Sequence, residues 1–105
     1  MTPREIYVSA QLDALSMLHT GVTSAIDHYS ERPALSADGL NAVCTAFEDI
    51  GMRATVATMF ADRPYIDTVP VDRSKLPAEV LTAAANMPVP DAAAYFQIME
   101  DAVSG

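Results

Sequence analysis

The sequence predicts an α/β fold with the element order α-β-α-β-α-α and two parallel strands. Three observations carry that prediction: two apolar segments of helical periodicity, each closed by a glycine; a short strand-like segment directly after each glycine; and two further helix-start signals in the last third of the chain. With 105 residues, half of them hydrophobic, the chain has room for one domain, residues 1–105, and for a modest core.

The first helix starts at Thr2, which can cap it, with Pro3 in its first turn and Glu5 three residues on as the second half of a capping box. Ile6, Ala10, Asp13/Ala14, Met17 and Leu18 follow the i, i+3, i+4, i+7 pattern. Val8, Leu12 and Leu15 widen the stripe, and Gly21 ends it. Val22 to Ile26 is short, apolar and rich in β-branched residues, as expected of a strand buried on both faces. Ser36 is a good N-cap for a second helix, with Leu40, Val43, Cys44, Phe47 and Ile50 at helical spacing up to Gly51. Met52 to Phe60 (MRATVATMF) reads as the second strand, without the polar alternation of an open face. Strand, helix, strand in about forty residues is a βαβ unit with parallel strands. Ala61 to Pro77 carries charges and prolines and reads as a surface excursion; Pro77 opens a helix to about Asn86, and Asp91 caps one carrying Ala94, Phe96, Ile98, Met99 and Val103. The six methionines read as adaptable core filling.

Fourteen acids against six bases give a net charge of −8 with no basic cluster, which argues against nucleic acid and an anionic membrane as partners. One cysteine, Cys44, excludes an internal disulfide, and no apolar run approaches the length of a bilayer span. Met1-Thr2-Pro3-Arg4-Glu5 lacks the apolar core of a signal peptide, so a cytoplasmic location is the expectation. Two parallel strands have two open edges, which predicts either self-association as a homo-oligomer or poor folding in isolation.

The stretches LDALSMLHTGVTSAIDHYSERP and LNAVCTAFEDIGMRATVATMFADRPY carry a helix leading into Gly21-Val22-Thr23 to Asp27, then a helix ending in Gly51-Met52-Arg53. In this order they resemble the region around the second and third barrel strands of amidohydrolase-superfamily enzymes of the cytosine deaminase and chlorohydrolase-like group, over roughly Pro3 to Pro70. The resemblance implies a partial (β/α)₈-barrel-like fragment. A whole barrel takes about 250 residues. It also implies a parent activity that hydrolyses C–N or C–Cl bonds on nitrogen heterocycles, with water activated by a divalent metal such as zinc or iron. That family holds its metal with a His-x-His pair, two further single histidines and an aspartate. This chain has only His19 and His28, nine residues apart. The expectation is therefore no catalytic residue, metal ligand or cofactor within this chain, which would be a fragment or truncated relative, inactive alone, whose partner is the missing remainder of a barrel. The alternative is a small self-associating α/β binding or interaction module without catalysis.

Four residues stand as substrate-side candidates. Asp27 and His28 follow the first strand at its carboxyl end, where α/β folds place ligands, and at most one of two successive residues points inward. A loop pair bonding nearby backbone is the plainer alternative. Asp62 and Arg63, with Tyr65, follow the second strand in the corresponding place, and with Arg32 should form one polar patch beside Asp27 and His28; a structural Asp-Arg salt bridge is the alternative there. His19 suits the C-terminus of the first helix, Cys44 a small buried hydrophobe, and Thr23 and Ser24 ordinary strand positions.

Overall fold

The structure, a computed structural model, describes residues 1–105 and has an α/β architecture of four helices of eight or more residues and a two-stranded parallel sheet. Helix α1 (Pro3–His19) begins as the capping box predicts: the Glu5 amide donates to Thr2 Oγ1 at 3.3 Å and the Thr2 amide to the Glu5 carboxylate at 2.6 Å. These bonds hold the Glu5 carboxyl below its usual range. Gly21, at φ 88°, turns the chain out of the helix, with its N–H on the Leu18 carbonyl and that of Val22 on the Met17 carbonyl. Strand β1 (Ser24–Asp27) follows. Helix α2 (Ala37–Ile50) starts at Ser36, whose hydroxyl accepts from the Gly39 amide at 3.0 Å. It closes by the same device as α1: Gly51 at φ 75°, its N–H on Glu48 O, and Met52 N–H on Phe47 O. Strand β2 (Arg53–Val56) follows in turn.

Both strands are shorter than their apolar runs. Val22 and Met52 are used in closing the preceding helices, so each strand starts later than its first apolar residue. Beyond β2 the pairing continues as single bonds from Ala57 N to Asp27 O at 2.8 Å and Met59 N to Tyr29 O at 2.9 Å, and extended strand does not reach Phe60. The register sets Ser24 opposite Arg53, Ala25 opposite Ala54, Ile26 opposite Thr55 and Asp27 opposite Val56.

The core lies between α1 and α2 over one face of this sheet. Ile6, Ala10 and Ala14 of α1 meet Leu40, Val43, Ala46 and Phe47 of α2, with Met52 at the entry to β2; Ala25, Tyr29, Ala54 and Val56 pack beneath them. Tyr7 ties the two helices at the surface, donating to Asp49 Oδ2 at 2.7 Å and accepting from Gln11 Nε2 at 2.7 Å. The opposite face of the sheet is bare. Ser24, Arg53 and Thr55 are exposed there and Ile26 is 70% exposed, so burial on both faces, as read from the apolar composition, does not occur. The strands alternate exposed and half-buried along their whole length. The widened stripe of α1 is likewise uncovered: Val8, Leu12 and Leu15 lie outside the core, which takes the row Ile6, Ala10, Ala14 with Met17 and Leu18 packed against it. With 9 of 105 residues buried and a radius of gyration of 16.6 Å, against about 13 Å for a globular chain of this length, the molecule is a plate 22 Å thick with one finished side.

After β2 the chain makes the surface excursion expected, interrupted by one helical turn, α3 (Tyr65–Thr68), and a 3₁₀ turn, Arg73–Lys75. Arg73 pairs with Asp67 across it. Helix α4 (Ala78–Ala85) follows Pro77, and α5 (Ala92–Ser104) starts at Asp91, whose carboxylate accepts from the Ala93 amide at 3.0 Å. Ile98 and Met99 bring α5 against the α2 side of the plate; Phe96 and Val103 stay exposed. Of the methionines, Met52 is buried and Met17 and Met99 pack on the core, whereas Met1, Met59 and Met87 are exposed, so core filling accounts for only half of them.

Candidate functional site

The carboxyl ends of the two strands, with the loops that leave them and the start of α5, form the one rim where loop side chains converge. Asp27 is the last residue of β1 and sits on the covered face, half-buried. Burial pushes its carboxyl above the usual carboxylate range, Asp13 of α1 adds to the shift, and His28 partly offsets it. Burial, then Glu48 and Asp27, raise the thiol of half-buried Cys44 above its usual range. Asp27 thus faces the helix layer. His28, one residue on, is exposed, in line with the alternation of β1 that sets Ile26 on the bare face.

Asp62 and Arg63 do not stand beside this pair along the ladder. Register places Val56 opposite Asp27, and Asp62 comes six residues later. The displacement follows from the early end of β2. Asp62 and Arg63 form an ion pair of 3.9 Å with both side chains more than two-thirds exposed, a geometry that contributes little to stability. Arg63 does join Arg32 and Tyr65, across an open groove between the loop after β1 and the loop joining α4 to α5. The Arg32 guanidinium lies over the Tyr65 ring, 5.4 Å from its centroid. An adjoining cavity of about 120 Å³ runs toward Tyr95 and Ile98 of α5, well under the ~300 Å³ usual for an organic ligand. Neither Asp27 nor His28 lines either space. The single patch expected from the sequence is therefore divided, with Arg32 and Arg63 on the groove and Asp27 turned into the helices.

Two residues that sequence reasoning passed over organise the rim. Glu31 receives the Ser36 amide at 2.9 Å, the Ser36 hydroxyl at 2.7 Å and the Tyr29 hydroxyl at 3.1 Å, so its carboxylate sits at the N-terminus of α2 beside Gly39. Negative charge there is favoured by the exposed amides of the first turn. A Cβ at position 39 would collide with that carboxylate. Glu31 and burial together push the Tyr29 hydroxyl strongly upward, with burial the larger cause. An acid five residues before a serine N-cap was the available signal. On the far side, the Tyr95 hydroxyl donates to the Thr58 carbonyl at 3.1 Å and lies 2.6 Å from Thr58 Oγ1, while its ring stacks at 4.8 Å on Phe60; this clasp joins α5 to the end of the sheet. Partners 37 residues apart leave no local signal.

His19 ends α1 at the opposite end of β1 from His28, and no group of three or more His, Cys, Asp or Glu side chains gathers anywhere in the molecule. The donor set does not fit the metal centre that the resemblance implies. Ser36 is engaged by Glu31 and Gly39, not by a histidine. No helix is long and apolar enough to cross a membrane. Comparison with protein-family models, with curated proteins and with solved structures finds no match.

Proposed function

We propose that the chain is a non-catalytic α/β unit built like one section of the wall of a metal-dependent amidohydrolase barrel, a unit that turns nothing over by itself and requires other strands to complete its sheet. The observation that supports this reading is the one-sided sheet: α1, α2 and α5 all pack on the face bearing Ala25, Ala54 and Val56, while the Ile26 face is open. A doubly wound sheet has helices on both faces; a barrel wall has them on the outside only, with its other face toward the lumen. The repeated glycine turn from helix to strand at Gly21 and Gly51 agrees with consecutive units of such a wall.

The test is an assay of the purified chain with added zinc or ferrous iron on an aminated and a chlorinated nitrogen heterocycle. The reading predicts no hydrolysis above the metal-only blank. Metal-dependent turnover that a chelator abolishes would overturn it.

A second reading, a self-associating binding or interaction module, is favoured by the uncovered Val8, Leu12 and Leu15 row on α1 together with Ile26, two apolar surfaces for a second copy to cover. Subunit number by native mass spectrometry separates the two: a discrete dimer or ring supports the module, and a monomer or heterogeneous aggregate supports the wall section.

A further inference from the structure

We propose that the groove between the loop after β1 and the loop joining α4 to α5 is a binding site for a small aromatic carboxylate, its charge held by Arg32 and Arg63 and its ring by a proline wall. The groove encloses about 660 Å³, within the range of small-molecule sites. It lies at the carboxyl ends of the strands, where open α/β sheets receive ligands.

Its charge distinguishes it from the rest of the molecule. The chain carries −8 overall and has six basic residues, yet two of them line this groove and no acid does. Arg63 has only the long, exposed pairing with Asp62 to satisfy it. The Arg32 guanidinium carbon lies 5.4 Å from the centroid of the Tyr65 ring, and its N–H groups make no hydrogen bond or ion pair within the chain, so they are available to an acceptor. The arginine that donates hydrogen bonds within the protein is Arg73, elsewhere. A carboxylate matches a guanidinium edge with two parallel N–H···O bonds.

The remaining wall decides what is attached to that carboxylate. Pro33, Pro64, Pro88 and Pro90 carry no backbone N–H, so this wall presents apolar ring surface and cannot itself donate to an anion. An inorganic anion would leave the wall unused, and a neutral ring would leave both guanidiniums unanswered. A flat ring bearing one carboxylate meets both. This inference goes beyond the wall-section reading and stands whether or not the chain completes a barrel.

The experiment is a titration of the full chain, followed by ¹H–¹⁵N NMR, with sodium benzoate, benzyl alcohol and inorganic phosphate in turn. Benzoate is expected to bind with Kd on the order of 1 mM, a strength within reach of so small a ligand. Shifts should centre on Ala61, Arg63 and Tyr65, and benzyl alcohol and phosphate should each bind about tenfold or more weakly, the loss of one charge-assisted contact or of the ring surface. Arg63→Gln, a change at an exposed side chain, is expected to weaken benzoate by about tenfold, and Arg63→Lys by less, because charge without the fork is retained. No benzoate binding, equal binding of benzyl alcohol or phosphate, or undiminished binding by Arg63→Gln would each overturn the proposal. The three-ligand comparison on the unaltered chain does not depend on any variant folding.

Discussion

All nine buried residues lie between Ile6 and Met52, and from Arg53 to Gly105 there is none. The first part is held by volume: side chains of α1 and α2 fill a common core over one face of the sheet. Beyond β2, which pairs with β1 and sets Ala54 and Val56 on that core, the second is held by a few directed contacts, chiefly Tyr95 with Thr58 and Phe60 and Met99 on α2's side. The difference teaches where cooperativity resides. Packed volume couples every residue that shares it, whereas a hydroxyl clasp couples two segments and leaves the rest of each free to open locally.

The strongest way to break that contrast is to remove volume from each part. Phe47→Ala should cost about 3–5 kcal/mol of unfolding free energy by urea denaturation, enough to unfold most of a marginal chain, whereas Phe96→Ala, at a 59%-exposed position, should cost under about 1.5 kcal/mol. Equal losses would mean that the core is spread over both parts.

Removing Glu31 comes next. Glu31→Ala should destabilise by about 1–3 kcal/mol through lost bonds to Ser36 and Tyr29 at the start of α2. Gly39→Ala tests the same contact from the other side. In the native background its methyl displaces the Glu31 carboxylate and lowers stability, although alanine is the better helix former. Combined with Glu31→Ala it should raise stability, and a double-mutant cycle that closes additively would refute the contact.

Tyr95→Phe should cost about 1 kcal/mol, and its signature is regional: amide hydrogen exchange should accelerate along α5 and stay unchanged in α2. The smallest effect is expected at Asp27. Its folded-state pKa is raised, so the folded chain binds this proton more readily than the unfolded chain, and ionisation above that pKa costs stability. Asp27→Asn removes that cost. Thermal melts should show Tm unchanged or raised by up to about 4 °C at pH 7, with the gain lost at pH 3, where the native carboxyl is itself protonated. A lower Tm at pH 7 would mean that the carboxylate has a partner.

What the sequence made legible is what local chemistry decides. Thr2 with Glu5, Ser36 and Asp91 at helix starts, and Gly21 and Gly51 at helix ends, act within four residues of themselves, and every one falls where its pattern predicts. Ile26 shows the limit: an apolar β-branched residue suits a covered and a bare strand face alike, because burial depends on what else packs there. The end of β2 is masked for a related reason, since Ala57, Met59 and Phe60 continue the apolar pattern after the extended strand has stopped. A strand running to Phe60 would set Asp62 and Arg63 beside Asp27. Arg32, Arg63 and Tyr65 were legible as polar residues at the rim, but the prolines that make their surroundings a groove read only as turns. Glu31 and Tyr95 act through contacts that exist only once the loop after β1 and α5 are in place.

Sedimentation velocity of the native chain and of Ile26→Lys, with far-ultraviolet circular dichroism of both, tests the one-sided sheet most directly. A lysine on an open face extends into water, and a lysine in a core does not fold. The account predicts that Ile26→Lys keeps the native helical spectrum and a cooperative melt, and sediments no heavier than the native chain. Loss of the folded spectrum in Ile26→Lys would place Ile26 inside a core and contradict the bare face.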